Sequence, residues 1–258
     1  MNRTRFALLV LGAVALLWRA LVLFDPASSP LLADEPTRGD LNLLFARSLM
    51  GLVFLGCGTV VLYRLKSKRS GVFCLYAFCA AIHWGGPVAV GSDGAQMAVW
   101  LLYFLVSAML AEAAFLHFTL VFPEPWGWGP RHSTRFALYS PVALGVLVGG
   151  ITLASAPGAA ADGWSEKFFI LEGVQTNLFA LAALIILVVR YVRAAPQDGP
   201  RPITGLLAFA GWISVLPWAL ATALASRGVA VPGGAEVYTL FFTLLPLAFT
   251  RALLKHGK

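Results

Sequence analysis

The chain is poor in charge and in the side chains that build most catalytic centres. Only 12% of its 258 residues are charged, and it contains 4 His and 3 Cys. Its hydrophobic share of 59% lies well above that of soluble domains. The scarcity of charge excludes a water-soluble globular fold. The composition instead predicts an all-α, polytopic bundle of membrane helices.

The few cysteines argue against a metal or redox centre. Cys57, Cys74 and Cys79 all lie in apolar runs, without the paired spacing of a zinc ribbon or a CxxC motif. Free cysteines in such surroundings commonly serve as small apolar packing residues. We therefore expect no metal and no cofactor.

Eight apolar runs are long enough to cross the hydrocarbon core, which takes about 20 helical residues. They cover residues 6–24, 43–63, 71–90, 97–122, 136–156, 174–192, 203–225 and 237–254. The first run follows basic residues as a signal peptide would, but Asp25-Pro26 succeeds it without a small-residue cleavage site. We expect it to be retained. The loops are too short for a soluble domain, so residues 1–258 are expected to form one transmembrane domain.

Lys and Arg are concentrated in alternate loops. Of the 19 basic residues, 14 fall on one side of this topology and 4 on the other, with Arg19 inside the first run. The larger group comprises Arg3, Arg5, Arg64, Lys66, Lys68, Arg69, Arg131, Arg135, Arg190, Arg193, Arg201, Arg251, Lys255 and Lys258. The positive-inside rule places this side, and with it both termini, in the cytoplasm. Because the net charge of +7 follows topology, it does not indicate nucleic-acid binding.

Acidic residues follow the opposite pattern. Most of them are expected in outer loops, including Glu166 and Glu172, whereas the cytoplasmic face has only Glu124 and Asp198. Two carboxylates are too few for the acidic metal ligands of a phosphate-transferring membrane enzyme. The spans also contain no GxSxG, paired-Asp or HExxH signature. The sequence therefore predicts no catalytic residues and a protein that is not an enzyme.

Glu112 is the sharpest candidate for an intramembrane functional residue. An ionisable group in hydrocarbon costs at least ~2.5 kcal/mol, so it should face the bundle interior. An α-helical rise through the fourth span places Glu112 about 22 Å along the helix, past the midplane towards the cytoplasm. It is either a proton-responsive or ligand-contacting carboxylate, whose neutral form desolvation favours, or a packing residue.

Two histidines are further candidates. His117 lies about 140° around the helix from Glu112, which is a poor arrangement for a shared metal site, and an interfacial or packing role is the alternative. His83 precedes Trp84 and a Gly-Gly-Pro run that should end the helix near a membrane border. His83 either lines a pocket that opens to the outer side or lies at a bent helix end without a functional role. Arg19 is expected to snorkel or to pair with an outer carboxylate.

Several short motifs mark the ends and middles of the later spans. The fourth span ends in His117-Phe118 followed by Phe122-Pro123, where Trp126 and Trp128 also suit an interfacial exit. Later spans carry Leu216-Pro217 and the stretch from Leu244 through Pro246 to Phe249, followed by Arg251. Together these motifs, from about residue 43 to 255, resemble the multi-span N-terminal sensor region of ComP-like bacterial histidine kinases. The resemblance implies a helical sensor in a bacterial inner membrane that passes a signal to a kinase.

The sequence also departs from that family. The Pro-rich linker 194–202 lacks the expected Arg-Gln lead-in, and the chain ends at Lys258, where a kinase core would follow. We therefore expect an isolated sensor module or a standalone relative that signals through another chain. The lipid bilayer, a cytoplasmic kinase or other signalling protein, and a second copy of the chain are the expected partners.

Two other functions stay open. A small transporter would use Glu112 as its proton-coupled group, and a structural or assembly subunit would belong to a larger membrane complex.

Overall fold

The computed structural model describes residues 3–24, 38–84, 103–126, 131–154, 159–194, 201–225, 227–232 and 235–256. Throughout these ranges the regular structure is helical. The α-helices are α1 (Arg3–Phe24), α2 (Arg38–Arg64), α3 (Lys68–His83), α4 (Leu110–Val121), α5 (His132–Ala154), α6 (Ala159–Arg193), α7 (Arg201–Ala225) and α8 (Leu244–His256). A π-helical turn, Phe104–Met109, precedes α4, and a 3₁₀ stretch, Ala235–Thr243, precedes α8.

Five stretches within the described residues are long and apolar enough to cross a membrane. They are Leu44–Arg64, His132–Ile151, Ile170–Arg193, Pro202–Ala225 and Val237–His256, and the shorter apolar segment Ser107–Val121 lies in α4 and the turn before it. Large apolar side chains on their outer faces are exposed, for example Phe136 on α5 and Val192 on α6. Such a surface suits lipid. The prediction of an all-α, multi-pass membrane protein is confirmed at this level.

Six helices form a closed ring. Along it, α2 packs on α3, α3 on α4, α4 on α6, α6 on α7 and α7 on α8, and α8 returns to α2. Two helices lie outside the ring, α1 against α2 and α3, and α5 against α4 and α6. The residues that face the centre of the ring therefore come from segments far apart in the sequence.

Two features of the helices differ from the simplest interpretation of the sequence. The sixth helix begins at Ala159, well before the apolar run 174–192, so Glu172 lies within α6 and not in a loop. Hydropathy marks only the apolar part of a helix, whereas its hydrogen bonds continue through polar residues. The fourth span contains the π-helical turn, so the uniform α-helical rise that placed Glu112 does not apply there.

The helix ends follow local chemistry. The Ser67 side chain caps α3 by accepting a hydrogen bond from the Ser70 amide at 3.1 Å. Pro246 lies in the first turn of α8, where a missing N–H costs little, and Pro217 lies inside α7. The third helix ends at His83, as expected, while Pro87 lies outside the described residues.

The cysteines take part in the apolar core. Cys57, Cys74 and Cys79 are free and buried, and the Cys74 thiol donates to the Gly58 carbonyl at 3.4 Å. Gly58 faces α3, where a Cβ would lie 2.8 Å from Cε1 of Phe78. The absence of a side chain at this position lets α2 and α3 approach closely.

We expect Gly58→Ala to lower the free energy of unfolding by about 1–3 kcal/mol, because the added methyl group displaces Phe78 from a packed interior. Gly56→Ala is the matched control, since a Cβ there meets no atom within 4 Å. Unfolding in mixed micelles measures both variants. Equal free energies for the two would contradict the close packing of α2 on α3.

Candidate intramembrane polar site

Glu112 lies in the first turn of α4, directly after the π-helical turn. Its side chain is partly buried, and its Oε2 atom is fully buried without a hydrogen-bond partner among the described residues. An unsatisfied buried carboxylate oxygen is costly, because the protein interior offers no water to replace the missing partner. The Oε2 atom of Glu112 therefore needs a hydrogen-bond donor that the described residues do not supply.

A second carboxylate faces it from α6. Glu172 is half-buried, and its Oε1 atom accepts a hydrogen bond from Thr176 Oγ1 at 3.2 Å. The charge of Glu172 acts on Glu112. Thus α4 and α6 bring two acidic groups together inside the bundle.

A buried amide follows Glu172 along α6. Gln175 lies on the same face of α6 as Glu172 and is only 4% exposed. Its Nε2 group donates to the Met109 carbonyl at 2.7 Å, at the end of the π-helical turn, while its Oε1 atom has no partner among the described residues. This hydrogen bond fixes the orientation of the Gln175 amide, because only its nitrogen, and not its oxygen, can donate to the Met109 carbonyl.

His83 forms a neighbouring contact set at the end of α3. Its ring stacks on Tyr103 with centroids 6.0 Å apart, and its Nδ1 atom lies 3.5 Å from Ser107 Oγ in the π-helical turn. The Tyr103 hydroxyl donates to the His83 carbonyl at 2.6 Å. Arg47 of α2 exerts its charge on His83. The histidine therefore ties α3 to the segment that carries Glu112.

His117 is separate from this site. It is buried, and its Nδ1 atom lies 3.0 Å from the hydroxyl of Tyr139 on α5. The two rings meet edge to face with centroids 5.8 Å apart. His117 thus faces the peripheral helix α5, while Glu112 faces α6. Of the three candidate residues, His83 contacts the π-helical turn that directly precedes Glu112, whereas His117 contacts Tyr139 of α5.

Phe118 and Phe122 belong to an aromatic cluster at the centre of the ring. The cluster is defined by Phe73, Tyr76, Phe115, Phe118, Phe122 and Phe249. The rings of Phe118 and Phe122 stack with centroids 5.1 Å apart, and Phe249 of α8 meets Phe118 edge to face at 4.9 Å. Phe249 also contacts Phe115 and Phe73. The cluster joins α3, α4 and α8.

Arginine side chains bind main-chain carbonyls where α4 ends. The Phe122-Pro123 peptide bond is cis, and Arg69 Nη1 donates to the Pro123 carbonyl at 2.6 Å. Arg190 of α6 donates to the Leu120 carbonyl at 2.8 Å and to the Glu124 carbonyl at 2.7 Å. These donors satisfy carbonyls that the end of the helix leaves without partners.

Trp126 packs against the same segment after α4. Its amide donates to the Leu120 carbonyl at 2.8 Å, and the guanidinium groups of Arg190 and Arg193 lie 5.3 and 5.8 Å from its ring centroid. These distances are within the range of cation–π attraction. Trp128 and the side chain of Arg19 lie outside the described residues.

Sequence reasoning missed Glu172, Gln175, Tyr139 and Arg190. Glu172 was assigned to a loop because it precedes the apolar run, and Gln175 is a single amide among apolar residues. An isolated amide in a membrane helix was the available signal for Gln175, since such a group needs a partner inside the protein. Tyr139 has no such signal, because its pairing with His117 depends on helix packing.

The described residues contain no group of three or more His, Cys, Asp or Glu side chains placed to hold a metal ion. Comparisons of the chain with protein-family models, curated proteins and solved structures give no match.

We expect Arg190→Lys to lower the free energy of unfolding by about 1.5–3 kcal/mol, because a lysine cannot bond two carbonyls in the geometry of a guanidinium fork. Arg193→Lys is the control, since Arg193 is exposed and contacts the same tryptophan. Unfolding in mixed micelles compares the two, and Trp126 fluorescence reports the local change. If Arg193→Lys lowered the free energy of unfolding as much as Arg190→Lys, the role of Arg190 in binding the two carbonyls would be contradicted.

Proposed function

We propose that the chain is a non-catalytic sensory module of a bacterial inner membrane, which passes a change at Glu112 to a cytoplasmic signalling partner. In this proposal eight helices cross the membrane and both termini lie in the cytoplasm. The alternation of basic residues along the sequence and the five apolar helices of membrane-spanning length support this topology.

The observation that carries the proposal is the contact of the last helix with the aromatic cluster. The charge of Glu112 acts on Tyr76, whose ring stacks on Phe115 with centroids 5.0 Å apart. Phe115 in turn meets Phe249 of α8 at 5.9 Å. Ring contacts therefore run from Tyr76, on which the charge of Glu112 acts, to the last described helix.

Close packing makes such a path effective. Tyr76 and Phe115 are each 4% exposed, and Phe249 is fully buried. Aromatic rings in a dense interior change position by repacking between discrete arrangements rather than by gradual deformation. Gain or loss of a charge at Glu112 therefore favours one arrangement of α8 over another.

The partner is expected to meet the end of α8, where Lys255 and His256 are exposed. A cytoplasmic kinase is the expected class, in keeping with the resemblance of the Phe122-Pro123 and Pro246 segments to kinase sensor regions. A second copy of the chain is the other expected partner, since the exposed apolar side chains of α5, such as Phe136 and Leu147, offer a surface for helix packing in the bilayer.

A small proton-coupled transporter is the second candidate. The buried Oε2 atom of Glu112 and the neighbouring carboxylate of Glu172 favour it, since such groups carry protons in membrane transporters. Glu112→Gln would then abolish substrate or proton uptake into liposomes while the protein stays folded.

We expect Glu112→Gln to shift the distance between spin labels at positions 64 and 255, which report the ends of α2 and α8. The neutral amide mimics a protonated carboxyl and should select one arrangement of α8. The labels replace the exposed Arg64 and Lys255 in the full chain in lipid nanodiscs, and electron paramagnetic resonance measures the distance distribution.

Two controls sharpen this test. Glu124→Gln removes an exposed carboxylate but keeps the main-chain carbonyl that Arg190 binds, so it should leave the distance unchanged. Phe249→Leu should abolish the effect of Glu112→Gln by interrupting the aromatic contacts. Identical distributions for the wild type and Glu112→Gln would refute the signalling proposal.

A further inference from the structure

The geometry points to a binding site for a small monovalent cation, H⁺ or Na⁺, formed by Glu112, Glu172 and Gln175 between α4 and α6. The site goes beyond the signalling proposal, since it stands whether or not α8 moves.

We infer from the helix register that the three oxygen-bearing side chains lie near one level of the bundle. Helix side chains lean towards the N-terminal turn, so Glu112 leans towards Met109, whose carbonyl accepts from Gln175. Glu172 leans in the other direction along α6, because its carboxylate bonds Thr176 one turn later. Both carboxylates therefore approach the amide of Gln175.

The site has acceptors in excess of donors. The Oε2 atom of Glu112 and the Oε1 atom of Gln175 are both buried and have no hydrogen-bond partner among the described residues. The Nε2 group of Gln175 donates to the Met109 carbonyl at 2.7 Å, so this hydrogen bond fixes the direction of the amide. A protonated carboxyl at Glu112 or a cation between the two oxygens would satisfy both acceptors.

The ligand chemistry selects a small, hard cation. Carboxylate and amide oxygens are ligands of hard cations, whereas softer metals prefer sulfur and imidazole. Two carboxylates in hydrocarbon are costly when both are ionised, so one bound positive charge relieves most of their repulsion. A proton and Na⁺ satisfy the same oxygens and should compete for them.

The groups known to interact electrostatically with Glu112 are Tyr76 of α3 and Glu172 of α6, while the π-helical turn, Phe104–Met109, has no ionisable side chain. On α5, the Tyr139 hydroxyl is bonded to His117. Arg47 of α2 exerts its charge on His83. The two carboxylates are therefore the groups of the proposed site on which a change of pH acts.

Infrared difference spectroscopy of the full chain in lipid nanodiscs tests the site. One arm exchanges Na⁺ for choline at constant pH and ionic strength, and the other changes pH in choline alone. We expect a carboxyl band that responds in at least one arm and is lost in Glu112→Gln. A response in the pH arm alone identifies H⁺ as the occupant, and a response in both arms identifies competition between H⁺ and Na⁺.

Further variants assign the site to all three residues. Gln175→Leu keeps the side-chain size but removes the oxygen, and should weaken the apparent cation affinity about tenfold, as loss of one ligand typically does. Glu172→Gln should weaken it to a similar extent and serves if Gln175→Leu does not fold. Glu124→Gln should leave the affinity unchanged. A carboxyl band that survives in Glu112→Gln, or equal affinities in the wild type and Glu172→Gln, would overturn the proposal.

Discussion

Inside a membrane, every polar group must find its partner within the protein, and this constraint governs the arrangement of the bundle. Some buried hydroxyls meet it locally, as Thr119 does with the Leu116 carbonyl and Ser214 with the Ala210 carbonyl. At the exit from α4, two nitrogens of the Arg190 guanidinium meet it across helices. At the site around Glu112, two buried oxygens, on Glu112 and Gln175, have no donor among the described residues. We centre the proposed function on this site for that reason.

The ring of helices places this polar site beside the aromatic cluster, and the two have opposite physical properties. The polar site holds acceptors that have no donor among the described residues, whereas the aromatic cluster is closely packed. Tyr76 belongs to both, since it is affected by the charge of Glu112 and stacks on Phe115. In the proposed function, this side chain on α3 links the charge of Glu112 to the position of Phe249 on α8. The proposed function depends on this link.

Hydropathy was sufficient to predict much of the fold. The runs 43–63, 136–156 and 203–225 match α2, α5 and α7 to within a few residues, because these helices are apolar along most of their length. It failed at the start of α6 and at the π-helical turn, where backbone hydrogen bonding rather than apolar character determines the structure. The site was only half predictable. Glu112 is conspicuous as a charge in an apolar run, but its neighbours Glu172 and Gln175 come from a helix 60 residues away, and only packing brings them together. The number of spans and the location of the termini stay predictions.

The central claim is that the polar site and the last helix are energetically coupled through the aromatic cluster. A double-mutant cycle with Glu112→Gln and Phe249→Leu, read from the free energy of unfolding in mixed micelles, tests it most directly. We expect the double variant to differ from the sum of the single variants by at least about 0.5 kcal/mol, the size of coupling typical of interacting residues. Additive free energies would contradict the claim.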